Sequence, residues 1–266
     1  MNVLITGGNG YIAKSLSKNL DNVTSITRKD FDLTDRHATN KWFEGKYFDI
    51  IIHTAVKGGS RLLVDGGNVF YDNIQMFYNL LNNKHCFGKL INFGSGAELG
   101  IPNNPYGLSK NIISRIIDSE PYFYNIRIYG VFDENELDTR FIKSNIKRYI
   151  NKESIKIHQN KIMDFFYMKD LITLVKHYIS ETHLPKNVDC SYDHNHSLYD
   201  IAHIINNLSD YKVDIELTGG VLGHDKYAGE YNPLIKKYIG LEKGIDKTYE
   251  KLLEENHFKN QKGIIV

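Results

Sequence analysis

The sequence predicts an α/β fold built on a doubly wound parallel sheet, and three observations carry that prediction. The chain opens on an apolar run, Val3-Leu4-Ile5, that leads directly into a glycine turn. Short apolar runs then alternate with amphipathic stretches over roughly the first 130 residues, the pattern of βαβ units. Phe48-Asp-Ile-Ile-Ile-His-Thr-Ala55 is apolar on both faces, as a central parallel strand covered by helices must be. Crossovers between such strands are right-handed.

Taken in order, Met1 to Thr6 is the first strand. The glycine turn follows it, and then a helix with Ile12, Leu16 and Leu20 on its apolar side. Val23 to Thr27 is a second strand and Phe48 to Ala55 a third. Asn68 to Lys84 reads as a long helix, Lys89 to Phe93 as a fourth strand ending in a Gly/Ser turn. Tyr106 to Asp118 is a helix whose apolar side carries Ile112, Ile113, Ile116 and Ile117, and Tyr124 to Val131 is another strand. Beyond it the pattern is less regular. Phe141 to Ile150, Asp170 to Glu181, Leu198 to Leu208 and Asp246 to Glu255 read as helices, and Ile155 to His158 as a strand. The expected organisation is a dinucleotide-binding domain over 1–160, with interleaved return segments. A small α/β cap over 161–266 would pack on the carboxyl edge of the sheet, where such folds bind ligands.

A length of 266 residues suits one or two domains. Lys plus Arg is 33 and Asp plus Glu is 32, a formal charge of +1 that argues against a nucleic-acid arm or a membrane-surface patch. The aromatic runs Tyr122-Phe123-Tyr124 and Phe165-Phe166-Tyr167 have no basic stripe beside them, so they read as core rather than as a base-stacking platform. Two cysteines, Cys86 and Cys190, are too few for a disulfide framework or a four-ligand zinc site. The expected location is therefore the cytoplasm. No apolar run approaches the ~20 residues of a membrane span, and the N-terminus has neither the basic flank nor the cleavage site of a signal peptide. His194 and His196 lie near Asp193 and Cys190, but no second cluster completes a metal site, so no metal is expected.

Gly7-x-x-Gly10-x-x-Ala13 sits between a strand and a helix. Glycines there allow a tight turn and a close approach of backbone to a pyrophosphate, and the free N–H groups and dipole of the helix N-terminus attract that anion. A purely structural turn is the competing reading, weakened by the strand–turn–helix context. After the second strand comes Thr27-Arg28-Lys29, where an NAD site usually carries an acidic residue. A guanidinium and an ammonium suit a 2′-phosphate, which favours NADPH; an exposed basic turn is the alternative. Asp32 can accept from an adenine amino group or cap a helix.

Tyr106-Gly-Leu-Ser-Lys110 places a tyrosine and a lysine at i and i+4, one face of a helix. A phenol of pKa near 10 is a poor proton-transfer group at neutral pH, and a neighbouring ammonium lowers that value. The pair follows the fourth strand and the Gly94-Ser95-Gly96 turn, where Ser95 can orient a substrate oxygen or serve only as a turn residue. Serine, tyrosine and lysine in this order point to an acid–base set.

These residues resemble the sugar-nucleotide branch of the extended short-chain dehydrogenase/reductases, a Rossmann-type family. The resemblance rests on Gly7, Gly10 and Ala13; His53-Thr54-Ala55; Asn73; Ser95, Tyr106 and Lys110; Arg127 in Ile-Arg-Ile-Tyr-Gly-Val-Phe; and Asp164-Phe-Phe-Tyr-Met-Lys-Asp170. It covers about residues 1–175. Within the branch the chain is similar to GDP-L-fucose synthase-like 4-ketoreductases. Thr27 to Asp35 parallels their NADP segment, and His53-Thr-Ala-Val-Lys57-Gly58-Gly59 parallels their H-x-A-A-K-x-G-G.

The resemblance implies cofactor contacts at Gly7, Asn9, Gly10, Tyr11, Ile12, Arg28, Asp32, Leu33, Thr54, Ala55, Val56, Tyr106 and Lys110. It implies substrate contacts at Lys57, Ser95, Gly96 and Arg140. Departures narrow the reaction. Fucose synthases carry Ser-Ser-Cys where this chain has Ser95-Gly96-Ala97, and Asp133 to Phe141 contains no histidine. The cysteine–histidine pair of 3,5-epimerisation is therefore missing. The Thr-Asp-Glu of 4,6-dehydratases is missing too. The family's diphosphate-holding arginine is Met163 here, which leaves Lys161, Arg140 or Lys226 as its substitute.

The expectation is a cytoplasmic, NADPH-dependent reductase of a 4-keto sugar carried on a nucleoside diphosphate, GDP foremost, without 3,5-epimerisation. A 4-epimerase with tightly held NAD shares the same serine, tyrosine and lysine, and a catalytically silent cofactor-binding regulator is a third reading. A homodimer is expected through the 68–84 and 106–118 helices, using Phe70, Phe77, Leu81, Ile112 and Ile116.

Overall fold

The computed structural model describes residues 1–60, 64–219, 226–231 and 233–262, with side chains described as far as 256. In chain order its elements begin β1 (Val3–Thr6), α1 (Tyr11–Asn19), β2 (Val23–Ile26), α2 (Arg36–Phe43), β3 (Phe48–His53) and α3 (Asn68–Asn82). They continue with β4 (Phe87–Ser95), α4 (Pro105–Ser119), β5 (Phe123–Ile128), β6 (Val131–Phe132), α5 (Phe141–Ile150), β7 (Ile155–Ile157), β8 (Ile162–Met163) and β9 (Phe166–Tyr167). The last are α6 (Met168–Ser180), β10 (Asn187–Asp189), α7 (Leu198–Asn206), β11 (Ile215–Leu217), β12 (Lys226–Tyr227) and α8 (Leu241–Lys262).

The chain forms two compact units: Met1–Ile128 with Ile172–Asp189, and Tyr129–Leu171 with Cys190–Val266. In the first, six strands pair in parallel in the order β10-β5-β4-β3-β1-β2. The order runs outward in both directions from β1 and β3, which is the doubly wound pattern expected. β1 and β3 are apolar on both faces and buried throughout, Asp49 of β3 excepted. Leu4, Ile51 and Leu90 of the sheet pack with Met76, Phe77 and Leu80 of α3 and with Ile113 and Ile117 of α4. Phe77 is therefore core and not a surface residue as the dimer expectation had it. Leu81 and Ile116 also pack against this core. The large apolar residues that α3 and α4 turn outward are Tyr71, Tyr78 and Leu108.

Several boundaries differ from the sequence reading for physical reasons. α2 has no strong apolar period; the Asp35 side chain starts it by accepting the Ala38 N–H at 3.0 Å. The run expected as one strand over 124–131 is two. β5 ends at Ile128, and β6 pairs with β9 in the second unit. Gly130 lies between them, where a Cβ would stand 2.9 Å from the Phe165 ring. The three-residue β10 returns to the sheet edge beside β5, with Asp189 opposite Arg127. Compactness thus divides the chain at 128 and again at 171 and 189, whereas the expected boundary was 160.

The second unit has its own core of Ile142, Ile146, Tyr149, Ile155, Ile157, Met163, Ile201, Ile205 and Ile245. Among the described residues no helix is long and apolar enough to cross a membrane.

Candidate active site

The first unit carries a cleft of about 460 Å³ lined by Gly7, Gly10, Arg28, Asp32, Leu33, Thr54, Ala55 and Val56, all expected around a cofactor. Thr6, Ile26, Thr27, Phe31, Gly58 and Met76 line it as well, and so does Lys57, which was expected on the substrate instead. Asn9, Tyr11 and Ile12 are not among the lining residues. Gly7 has φ of +72°, and a Cβ there would meet the Ala55 backbone at 2.8 Å, so the turns after β1 and β3 close on one another. Gly10 is the N-cap of α1 with no side-chain cap and no acidic residue in the first turn. The first N–H groups of a helix lack intrahelical partners and carry the positive end of its dipole, so this N-terminus suits an anion. This donor set fits a nicotinamide dinucleotide.

The rim is charged. Arg28 is exposed at the end of β2. Asp32 neither caps a helix nor stands alone: its Oδ1 accepts the Thr34 N–H at 2.9 Å and the Thr34 hydroxyl at 2.8 Å. Those bonds, with smaller help from Arg28 and Lys57, hold the Asp32 carboxyl below its usual range. Lys57 pairs with Asp72. Its backbone is clamped by Asn73, whose Oδ1 accepts the Lys57 N–H at 2.8 Å and whose Nδ2 donates to the Lys57 carbonyl at 3.0 Å.

The serine, tyrosine and lysine belong to two adjacent elements of the same unit. Ser95 ends β4 and is buried; its Oγ accepts the Ala97 N–H at 3.2 Å. α4 is fastened to that strand end. Lys110 Nζ donates to the Phe93 carbonyl at 2.6 Å, and Asn111 Nδ2 donates to the Glu98 carbonyl at 2.7 Å. Gly107 makes the approach possible, since a Cβ there would stand 2.5 Å from the Ala97 carbonyl oxygen. The Lys110 ammonium lies 6.0 Å from the centre of the Tyr106 ring. Burial pulls the Lys110 pKa down to about 8, against the opposing influence of the Glu98 carboxylate. His53 is buried and lowered to about 3, by desolvation first and then by the Lys110 charge. It is a neutral packed histidine, with Nδ1 2.9 Å from the Thr6 hydroxyl.

Other expected residues stand elsewhere. Gly96 opens a short 3-10 turn to Glu98. Arg140 is the exposed N-cap of α5 in the second unit, and Lys161 and Lys226 belong to that unit too. Met163 is 1% exposed inside the second unit's core, so the position is apolar by burial and cannot hold a diphosphate. Among the described residues no cluster of His, Cys, Asp or Glu could hold a metal ion.

Sequence reasoning missed Glu98, which is 2% exposed. Ser95-Gly96-Ala97-Glu98 has the capping-box spacing, and the structure forms that box: Ser95 accepts from the turn while its own N–H donates to Glu98 Oε2 at 3.1 Å.

The model of the NAD dependent epimerase/dehydratase family matches residues 3–189. The chain belongs to that family. It is an enzyme family, and the likeness to its sugar-nucleotide branch recurs among known proteins. CDP-abequose synthase from Yersinia pseudotuberculosis is 24% identical over 208 residues, 68% of this chain and 74% of that protein. A GDP-mannoheptose C4 reductase from Campylobacter jejuni with NADP bound superposes with a TM-score of 0.77 at 16% identity, covering 94% of this chain and 97% of the other. A UDP-glucose 4-epimerase from Thermus thermophilus in complex with NAD gives 0.76 at 16% identity, covering 94% and 98%. The last two likenesses are likenesses of fold.

Proposed function

We propose that this member of the epimerase/dehydratase family reduces the C4 ketone of a nucleoside-diphosphate-linked 4-keto sugar with NADPH, leaving C3 and C5 unchanged. The observation that carries the reading is that α4, which bears Tyr106 and Lys110, is fastened through Lys110 to the end of the strand that bears Ser95, in the unit whose glycine cleft is rimmed by Arg28. The cofactor, when bound, supplies a hydride. Arg28 would hold the 2′-phosphate and the α1 N-terminus the pyrophosphate. The Ser95 hydroxyl would orient the ketone oxygen, Tyr106 would give it a proton, and Lys110 would keep positive charge beside the phenol.

The absence of epimerisation rests on chemistry. Inverting C3 or C5 needs a base to take the α-proton and an acid to return one on the other face. Ala97 has no such group, and Asp133 to Phe141 has no histidine. The substrate carrier is proposed as GDP, with CDP the first alternative because of the likeness to CDP-abequose synthase. A cytoplasmic homodimer completes the reading, its contact face the outward side of α3 and α4 at Tyr71, Tyr78 and Leu108.

The test incubates the protein with GDP-, CDP- and dTDP-linked 4-keto-6-deoxy sugars and NADPH in deuterated water. The expected result is loss of NADPH absorbance with one carrier, abolished by Tyr106→Phe, and a product without solvent deuterium at C3 or C5. Interconversion of the C4 epimers of a 4-hydroxy sugar nucleotide by the protein with bound NAD, without NADPH consumption on the 4-keto panel, would make the protein an epimerase. No turnover and no cofactor binding would remove the reading.

A further inference from the structure

Glu98 is buried beneath the strand end that carries Ser95, and the proton-transfer reading above leaves it unused. Both of its oxygens are engaged. Oε2 accepts the Ser95 N–H at 3.1 Å; Oε1 accepts Asn125 Nδ2 at 2.7 Å and Arg127 Nε at 2.6 Å. Arg127 also donates through Nη1 to Asp189 Oδ1 at 3.1 Å, so two carboxylates share one guanidinium. Such a group keeps a net negative charge, and burial gives that charge reach.

The fold makes room for this carboxylate deliberately. A Cβ on Gly94 would stand 2.6 Å from Glu98 Oε2 and 2.6 Å from Asn125 Oδ1, so only glycine fits there. Lys110 donates to the carbonyl of Phe93, one peptide before that glycine. Among the described residues, His53 from β3, neutral at working pH, and Glu98 from the turn after β4 interact with the Lys110 charge, and the Tyr106 ring of its own helix lies 6.0 Å from the ammonium. Of these Glu98 alone offers a negative charge.

We propose that Glu98 is a positioning residue of the active site, holding the Ser95 turn through its N–H and serving as the counter-charge of the buried Lys110 ammonium. The inference rests on the reading of Ser95, Tyr106 and Lys110 as the acid–base set. Its physical content is an opposition: burial disfavours the ammonium, and the carboxylate restores part of what burial removes. A capping residue of purely structural use would hold the turn without affecting the proton on Lys110.

The test labels the lysine side chains with 13C at Cε and follows Lys110, identified by the signal missing in Lys110→Met. In the wild type that signal should titrate near pH 8. Glu98→Gln should lower its midpoint by about one pH unit or more, since an opposite charge within a few ångströms shifts a pKa by roughly 1–3 units. In parallel, the alkaline limb of kcat/KM for NADPH oxidation, with whichever 4-keto sugar nucleotide of the panel is turned over, should move down by the same amount. Glu98→Asp, which keeps the charge on a shorter arm, should lose turnover at every pH while the limb stays in place. If Glu98→Gln does not fold, the same titration compares Arg127→Gln with Glu98→Gln/Arg127→Gln, two variants that again differ only in the Glu98 charge. A Lys110 midpoint unchanged in the Gln variant, with activity lost evenly across pH, would overturn the counter-charge role. Full turnover in Tyr106→Phe would instead remove the acid–base reading, while the Lys110 titration still reported on Glu98.

Discussion

Gly59 lies against the ring of Tyr106, so close that a Cβ at position 59 would stand 2.8 Å from ring atoms Cζ and Cε2. Gly59 also has φ of +71°, and its N–H donates to the Asp65 carboxylate at 3.0 Å. Gly59 therefore packs directly on the phenol ring. Gly59→Ala should displace the ring or the loop, a cost of about 1–3 kcal/mol for an overpacked contact. Turnover should fall by at least about tenfold, with a fall of several degrees in melting temperature. Wild-type turnover in the alanine variant would show that the contact does not position Tyr106.

Arg28 lines the cleft, and on the proposed reading it meets the 2′-phosphate of the cofactor. Arg28→Ala should weaken NADPH by about 10–100-fold, the value of roughly 1.5–3 kcal/mol for a charge-assisted contact, and leave NADH nearly unchanged. Fluorescence titration with both cofactors decides the matter. Equal losses for the two would remove Arg28 from cofactor selection.

Asn73 joins three segments. It holds both backbone groups of Lys57, and its Nδ2 also donates to Ser109 Oγ at 3.0 Å; Ser109 in turn donates to the Tyr106 carbonyl at 2.7 Å. Asn73→Leu strands buried partners, which costs about 1–3 kcal/mol. A fall of several degrees in melting temperature should accompany a raised KM for the cofactor, because Lys57 and Gly58 line its cleft. A stability loss with unchanged KM would confine Asn73 to packing.

Glu136 of the second unit is almost fully buried, with Oε1 accepting the Lys143 N–H at 3.2 Å. Burial pushes its pKa up to about 8. The folded protein then keeps a proton that the unfolded chain releases near pH 4.5, so stability falls as pH rises from about 4.5 to about 8. Glu136→Gln should be near neutral at pH 5 and stabilising at pH 8, by on the order of 2–4 kcal/mol. Denaturant melts at the two pH values test this; an equal difference at both would refute it.

The legible part of the site was its local part. Gly7 and Gly10 form one turn into the helix that carries Ala13, and Tyr106 and Lys110 share one helix face. Glu98 showed in the sequence only as the fourth residue of a Ser-x-x-Glu box, because its partners come from elsewhere. Arg127 is 29 residues away, and Asp189 lies 62 residues beyond Arg127. β10 was missed because three residues, Asn187 to Asp189, are too few to show a period. Phe77 was assigned to a dimer face because the apolar stripe of α3 cannot reveal which of its residues the sheet below takes.

By itself the sequence determined the fold class, the glycine turn and the order of serine, tyrosine and lysine. Strand and helix periods and i to i+4 spacing are properties of neighbouring residues, readable without a partner. The tertiary structure alone decided that Lys110 is desolvated, that Glu98 opposes that desolvation, that Met163 is core and that Gly94, Gly59 and Gly107 have no room for a side chain. Burial, charge pairing and close approach arise between segments that meet only when the sheet is assembled, and no local pattern of residues encodes which charge will face which.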